Sequence, residues 1–82
     1  MIVTFEHFRT IPAYKEKPGY CIPVGKKWFR RYGLDWRKFI REGLDESEFL
    51  RTGDALGIAL VDWAHECARR SAAFAADEEA MQ

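Results

Sequence analysis

Two histidines, two cysteines and a band of closely spaced cations are the residues of this 82-residue chain with chemistry to offer. Histidine with cysteine suggests zinc, which structural sites hold through close ligand pairs such as Cys-x2–4-Cys or His-x3–5-His. Here His7 and Cys21 stand far apart, and His65-Glu66-Cys67 is an i, i+2 pair. On a helix two such residues point about 200° apart and cannot face one ion. His65-Glu66 also opens a His-Glu-x-x-His motif, but Arg69 stands where the second histidine belongs. Cys67 continues an apolar stripe and reads as a small core residue. A Cys21–Cys67 disulfide is at odds with the reducing compartment that so few cysteines imply. No serine or cysteine has a recognisable base partner, and Thr52-Gly-Asp-Ala-Leu-Gly57 lacks the lysine of a phosphate loop. The expectation is a non-enzymatic protein with no cofactor and no metal.

The cations are the stronger signal. The chain carries 13 Lys and Arg against 13 Asp and Glu, a net charge of zero. Residues 15–41 hold nine cations against two acids, a balance of +7, and residues 42–82 hold ten acids against three arginines, a balance of −7. Neutrality is therefore a cancellation between two halves, and such asymmetry points to an interaction surface. Lys26, Lys27, Arg30, Arg31, Arg37, Lys38 and Arg41 form the candidate basic face; Glu42, Asp45, Glu46, Glu48, Asp62 and Glu66 form the candidate acidic face. Trp28, Phe29, Tyr32 and Trp36 interleave with the cations, yet at helical spacing they read as core rather than as stacking platforms. The turn at Gly33-Leu34-Asp35 has the length of a helix-turn-helix joint. Its second helix is barely two turns long and carries no Asn, Gln or Ser to read base edges, so its cations suit phosphates rather than sequence.

The elements that position these residues follow from the apolar pattern. Hydrophobic residues are 48% and aromatics 15% of the chain, enough for one compact core, and the length fits a single domain over 1–82. Residues 55–61 are the longest uncharged run near the middle, far too short to cross a bilayer, and no signal-type segment opens the chain. Residues 1–22 read as an extended arm and loop. Met1-Ile-Val-Thr-Phe5 suits a short strand, while Thr4 alternatively caps one helical turn over residues 5–10, closed by Pro12. The helical core spans 23–76. Its first helix follows Pro23, with Val24, Trp28 and Tyr32 on one face, and stops at Gly33 in a left-handed conformation. Asp35 caps a short helix with Trp36, Phe39 and Ile40 inward, closed by Gly43. Asp45-Glu-Ser-Glu48 resembles a capping box, and Thr52-Gly53-Asp54 opens a long last helix with Leu56, Leu60, Trp63 and Cys67 as its stripe. Asp77, Glu78 and Glu79 are misplaced for a helix C-terminus, so residues 77–82 are expected to fray. The fold expected is a mainly α bundle of short helices plus one long C-terminal helix, with an extended or short-strand N-terminal arm.

Cys21 four residues before Gly25, Trp28-Phe29, Gly33-Leu34-Asp35-Trp36, Phe39, Gly43 and Thr52-Gly53-Asp54 together resemble a group of small uncharacterised proteins of tailed bacteriophages and prophages. The shared stretch covers about half of the chain; where the group carries small and basic residues, this sequence has Pro23 and Val24. The resemblance implies a viral protein in the bacterial host cytoplasm during infection, incorporated in the virion or acting in its assembly. With the charge asymmetry, it leads to a minor virion or head/tail morphogenesis component working by protein–protein contact. The partner expected is self, by head-to-tail contact, or another phage or host protein. The alternatives are a small anti-host inhibitor of a bacterial complex and a helix-turn-helix-like DNA-binding module.

Overall fold

The computed structural model describes the backbone of residues 1–12 and 17–80, and the side chains of 1–12 and 17–72. In chain order the elements are β1 (Ile2–Val3), α1 (Phe5–Thr10), α2 (Ile22–Arg31), α3 (Trp36–Glu42), β2 (Leu44–Asp45), α4 (Glu46–Leu50) and α5 (Ala55–Ala80). The architecture is the expected mainly α one, with short helices, one long C-terminal helix and a short strand near the N-terminus.

Both readings of the N-terminal segment hold at once. Ile2 and Val3 pair antiparallel with Asp45 and Leu44, and the next residues turn directly into α1. Residues 1–22 are therefore more than an arm and loop: α1 buries Phe8 and adds Ile11 to the core. Thr4 is its N-cap, and three residues on His7 accepts the Thr4 backbone N–H at Nδ1 (3.0 Å). Burial holds the His7 imidazole below its ordinary value of 6.5, with Glu6 opposing weakly, so folding favours the neutral ring. That contribution is complete above about 6.5 and is lost as pH falls through the lowered native value. Thermal melts between about pH 7.5 and about pH 5 should show a loss of stability that is smaller in His7→Gln, whose amide oxygen still accepts the Thr4 N–H. An equal loss in both proteins would refute the assignment.

Helix ends fall where turn chemistry places them. Gly33 adopts φ +69 after the last residue of α2, Asp35 accepts the Lys38 N–H at the start of α3 (3.0 Å), and Gly43 closes α3 at φ +80. Asp45 does cap α4, accepting the Ser47 N–H (3.0 Å) and hydroxyl (2.6 Å). The reciprocal half of a capping box is absent, because Glu48 turns instead to Arg51 (2.9 Å). Thr52 accepts the Asp54 N–H, and Asp54 in turn accepts the N–H of Leu56 at the start of α5.

The helix faces differ from the apolar pattern in a consistent way. On α2 the buried residues are Gly25 and Phe29, with Trp28 half-buried, while Val24 is 53% exposed. On α3 Phe39 is fully buried, but Ile40 is 48% exposed. On α5 the buried line is Gly57, Leu60, Val61 and Ala64; Leu56 is exposed, and Trp63 and Cys67 are half-buried. The reason is close backbone approach. A Cβ on Gly25 would lie 2.5 Å from Phe8 Cζ, and one on Gly57 would lie 3.0 Å from Trp28 Cη2. Both glycines are packing positions, so each helix is turned to put its glycine inward.

The core is a ring cluster. Phe39 sits among Phe5, Phe8, Phe29, Trp36 and Phe49, with centroids 4.9–6.2 Å away. Val3, Ile11, Leu34, Leu44, Leu60, Val61 and Ala64 complete it. Two polar ties pin the ends of other elements to α5: Tyr32 donates to Asp54 (2.8 Å), and the Trp63 indole donates to Thr10 (3.0 Å). The backbone of α5 is helical through Ala80, its last turns an alanine-rich run of high helix propensity. Residues 13–16, 81 and 82 lie outside the described residues, so the expected loop is seen only in part.

Candidate interaction surface

The inward glycine of α2 decides what its outer side shows. With Gly25 and Phe29 against the core, Lys26, Lys27, Arg30 and Arg31 all fall on the opposite arc, and all four are exposed. On α3, Phe39 and the half-buried Trp36 face inward, leaving Arg37, Lys38 and Arg41 exposed. Among the described residues, none of these seven cations has a carboxylate within 4 Å. Arg31 lies over the Tyr32 ring, 5.6 Å from its centroid.

The six acids are treated differently. Asp45 and Glu46 flank the N-terminal amine (3.7 and 3.9 Å), and Glu46 also pairs with His65 (2.5 Å). Glu48 is bridged to Arg51, and Glu66 is bridged to both Arg69 and Arg70. The hydrogen bonds from Ser47 hold Asp45 below the ordinary carboxylate value, and those from Arg69 and then Arg70 do the same for Glu66. Only Glu42 and Asp62 are left exposed without such a partner among the described residues. The acids are also scattered over α3, the start of α4 and two turns of α5, so they do not form one face as the basic residues of α2 do.

Beside the cations lies an apolar groove that the sequence pattern did not reveal. Val24, Gly25, Trp28 and Phe29 line it from α2, and Leu56, Gly57 and Leu60 from α5. Tyr20 and Cys21 close one side, where the Tyr20 hydroxyl donates to the Leu56 carbonyl (3.0 Å). Val24 and Leu56 were expected in the core; instead they are exposed in this groove. Lys27 and Arg31 stand three and seven residues beyond Val24, on the same side of α2. The only signal for the groove was the pair Gly25 and Gly57, which a count of apolar side chains passes over.

The residues with metal or nucleophile chemistry are dispersed. No group of three His, Cys, Asp or Glu side chains fit to hold a metal occurs among the described residues, and Cys21 and Cys67 are both free. His7 serves the α1 cap and His65 serves Glu46. Among the described residues no helix is long and apolar enough to cross a membrane. Compared with protein-family models, curated proteins and solved structures, the chain matches none of them.

Proposed function

We propose that this is a non-enzymatic protein of the tailed-phage type that works by protein–protein contact, as a minor virion or morphogenesis component. Its contact surface is the basic side of α2 and α3. The observation that supports the reading is the imbalance of pairing: among the described residues the seven exposed cations have no carboxylate within 4 Å, while four of the six acids are engaged inside the molecule. Exposed, unpaired charge of one sign steers an oppositely charged partner and sets its register, and it contributes little to the stability of the fold that carries it.

Reversing Lys26 and Lys27 to Glu together, in the middle of α2 and away from the last turn that Arg30 and Arg31 occupy, should therefore leave the thermal midpoint nearly unchanged. The same change should lower the amount of protein recovered in purified particles or assembly intermediates by about tenfold or more, the scale of two buried or several rim charges. Quantitative mass spectrometry of particles carrying either form makes the comparison. Equal recovery of the two forms would overturn the reading.

The same unpaired cations, on two short helices joined by a tight turn, favour a second reading as a phosphate-gripping nucleic-acid binder. It requires duplex affinity that falls steeply with salt, by about tenfold or more between 50 and 200 mM. A fluorescence anisotropy titration with an arbitrary duplex separates the two: absence of saturable binding at low salt eliminates the second reading.

A further inference from the structure

Among the described side chains the last buried one of α5 is Ala64, and residues 68–72 are all exposed, yet the helix continues to Ala80. At 1.5 Å per residue the part beyond Ala64 is about 24 Å long. The molecule is accordingly elongated, 49 Å along its long axis against 28 and 23 Å across. In sequence this C-terminal end carries Ala72, Ala73, Phe74, Ala75 and Ala76, then Asp77, Glu78 and Glu79. It is an aromatic anchor in a run of small residues, followed one turn later by three carboxylates.

Those carboxylates sit at the wrong end of a helix. The C-terminal carbonyls already carry partial negative charge, and acids in the last turn add to it. A cationic surface brought against that end relieves both at once. The body offers such a surface beside an apolar groove: Val24, Trp28 and Leu56 line the groove, and Lys27 and Arg31 stand one and two turns beyond Val24 on the same side of α2. With four of the body acids held in internal ion pairs, the three tail acids are the larger remaining counterpart of the basic side.

We propose that the C-terminal end of α5 on one copy docks in the groove between α2 and α5 of the next copy, Phe74 entering beside Val24 and Leu56 and the tail acids meeting Lys27 and Arg31. This rests on the contact reading above and names the partner as a second copy of the chain. The tail and the groove are different surfaces, so the contact is heterologous and propagates into a ring or an open helix. The groove is lined by the first turns of α5 itself, and a continuous helix cannot bring its far end back onto its own start.

Sedimentation equilibrium of the full chain, at about 0.05 M and about 0.5 M salt, tests the proposal. The mass should rise with concentration at low salt and return towards one chain at high salt. A chain ending at Ala72 retains the whole described core, whose last member on α5 is Ala64, and should be monomeric in both. The double variant Lys27→Glu, Arg31→Glu should also be monomeric alone. Mixed with Asp77→Lys, Glu78→Lys, Glu79→Lys, it should form a complex at least about tenfold tighter than either variant forms with itself, since only the mixture offers one complementary pair. Self-association that survives removal of the tail overturns the docking, and so does a full-length chain that stays monomeric at low salt. Neither result touches the contact reading, which stands or falls on whether the α2 charge reversal loses its place in particles.

Discussion

Phe39→Ala is expected to cost about 3–5 kcal/mol, the range for emptying a fully buried aromatic site. Phe39 is 0% exposed and has five aromatic neighbours, contributed by α1, α2, α3 and α4. Removing it takes the centre out of a cluster whose members touch one another through it, and rings cannot flow inward to fill the space. A domain of this size holds roughly 4–12 kcal/mol in total, so the loss is a large part of its stability. The thermal midpoint should fall by about 15 °C or more. Phe39→Leu keeps most of the volume and should lose no more than about 1–2 kcal/mol. Chemical denaturation of the three proteins makes the measurement, and equal stability of Phe39→Ala and the parent would show that the ring cluster is not the core. Because α3 is seated through Phe39 together with Trp36, which packs on Phe5, Phe8 and Phe29, partial loss of this packing should also loosen Arg37, Lys38 and Arg41 from their fixed places.

Gly43→Ala is the second change with a large expected effect, for a different reason. Gly43 closes α3 at φ +80 and ψ 174, a combination that essentially only glycine adopts. Conformational strain alone costs about 1–3 kcal/mol. A Cβ there would also stand 2.6 Å from Ile2 Cγ2 and 2.7 Å from the Val3 carbonyl oxygen. A side chain can turn aside, but a backbone oxygen held in the β1–β2 pairing cannot, so β1 must lift away. Gly33 supplies the control, because it has φ +69 and no atom within 4 Å of where a methyl would stand. Gly33→Ala should carry the left-handed penalty of about 1–2 kcal/mol and nothing more. The excess loss in Gly43→Ala measures the docking of the N-terminal strand. Amide exchange should report the same event locally, through lost protection of the Glu46 N–H that donates to the Met1 carbonyl (2.9 Å). Equal losses at the two glycines would mean that a methyl at Gly43 does not lift β1 away.

Much of the local structure was legible because it is written in short-range chemistry. Gly33, Asp35, Gly43, Asp45 and Thr52-Gly53-Asp54 act within a few residues of themselves, and the caps and left-handed turns stand where their side chains, or lack of them, require. The cationic positions of α2 and α3 were legible too, since a run of Lys and Arg beside buried rings has no low-cost place except the surface. Less legible was the rotation of each helix about its axis. The apolar pattern put Val24, Ile40 and Leu56 inward, and all three are exposed; for Val24 and Leu56 the reason is that the glycine beside each has no side chain to be counted and yet marks the line of closest approach.

Sequence by itself determined the element types, their ends and the sign of charge each helix carries, all of which depend on residues within a turn or two of one another. Tertiary structure alone decided three things. It paired Ile2 and Val3 with Asp45 and Leu44 across forty residues of chain, and it turned Gly25 and Gly57 inward to leave a groove between α2 and α5. Among the described residues it also engaged Glu46, Glu48 and Glu66 with internal partners such as His65, Arg51 and Arg69, while the cations of α2 and α3 have no carboxylate within 4 Å. A charge count treats the two signs alike; which of them remains available to a partner depends on side chains brought within a few ångströms, and only the folded chain arranges that.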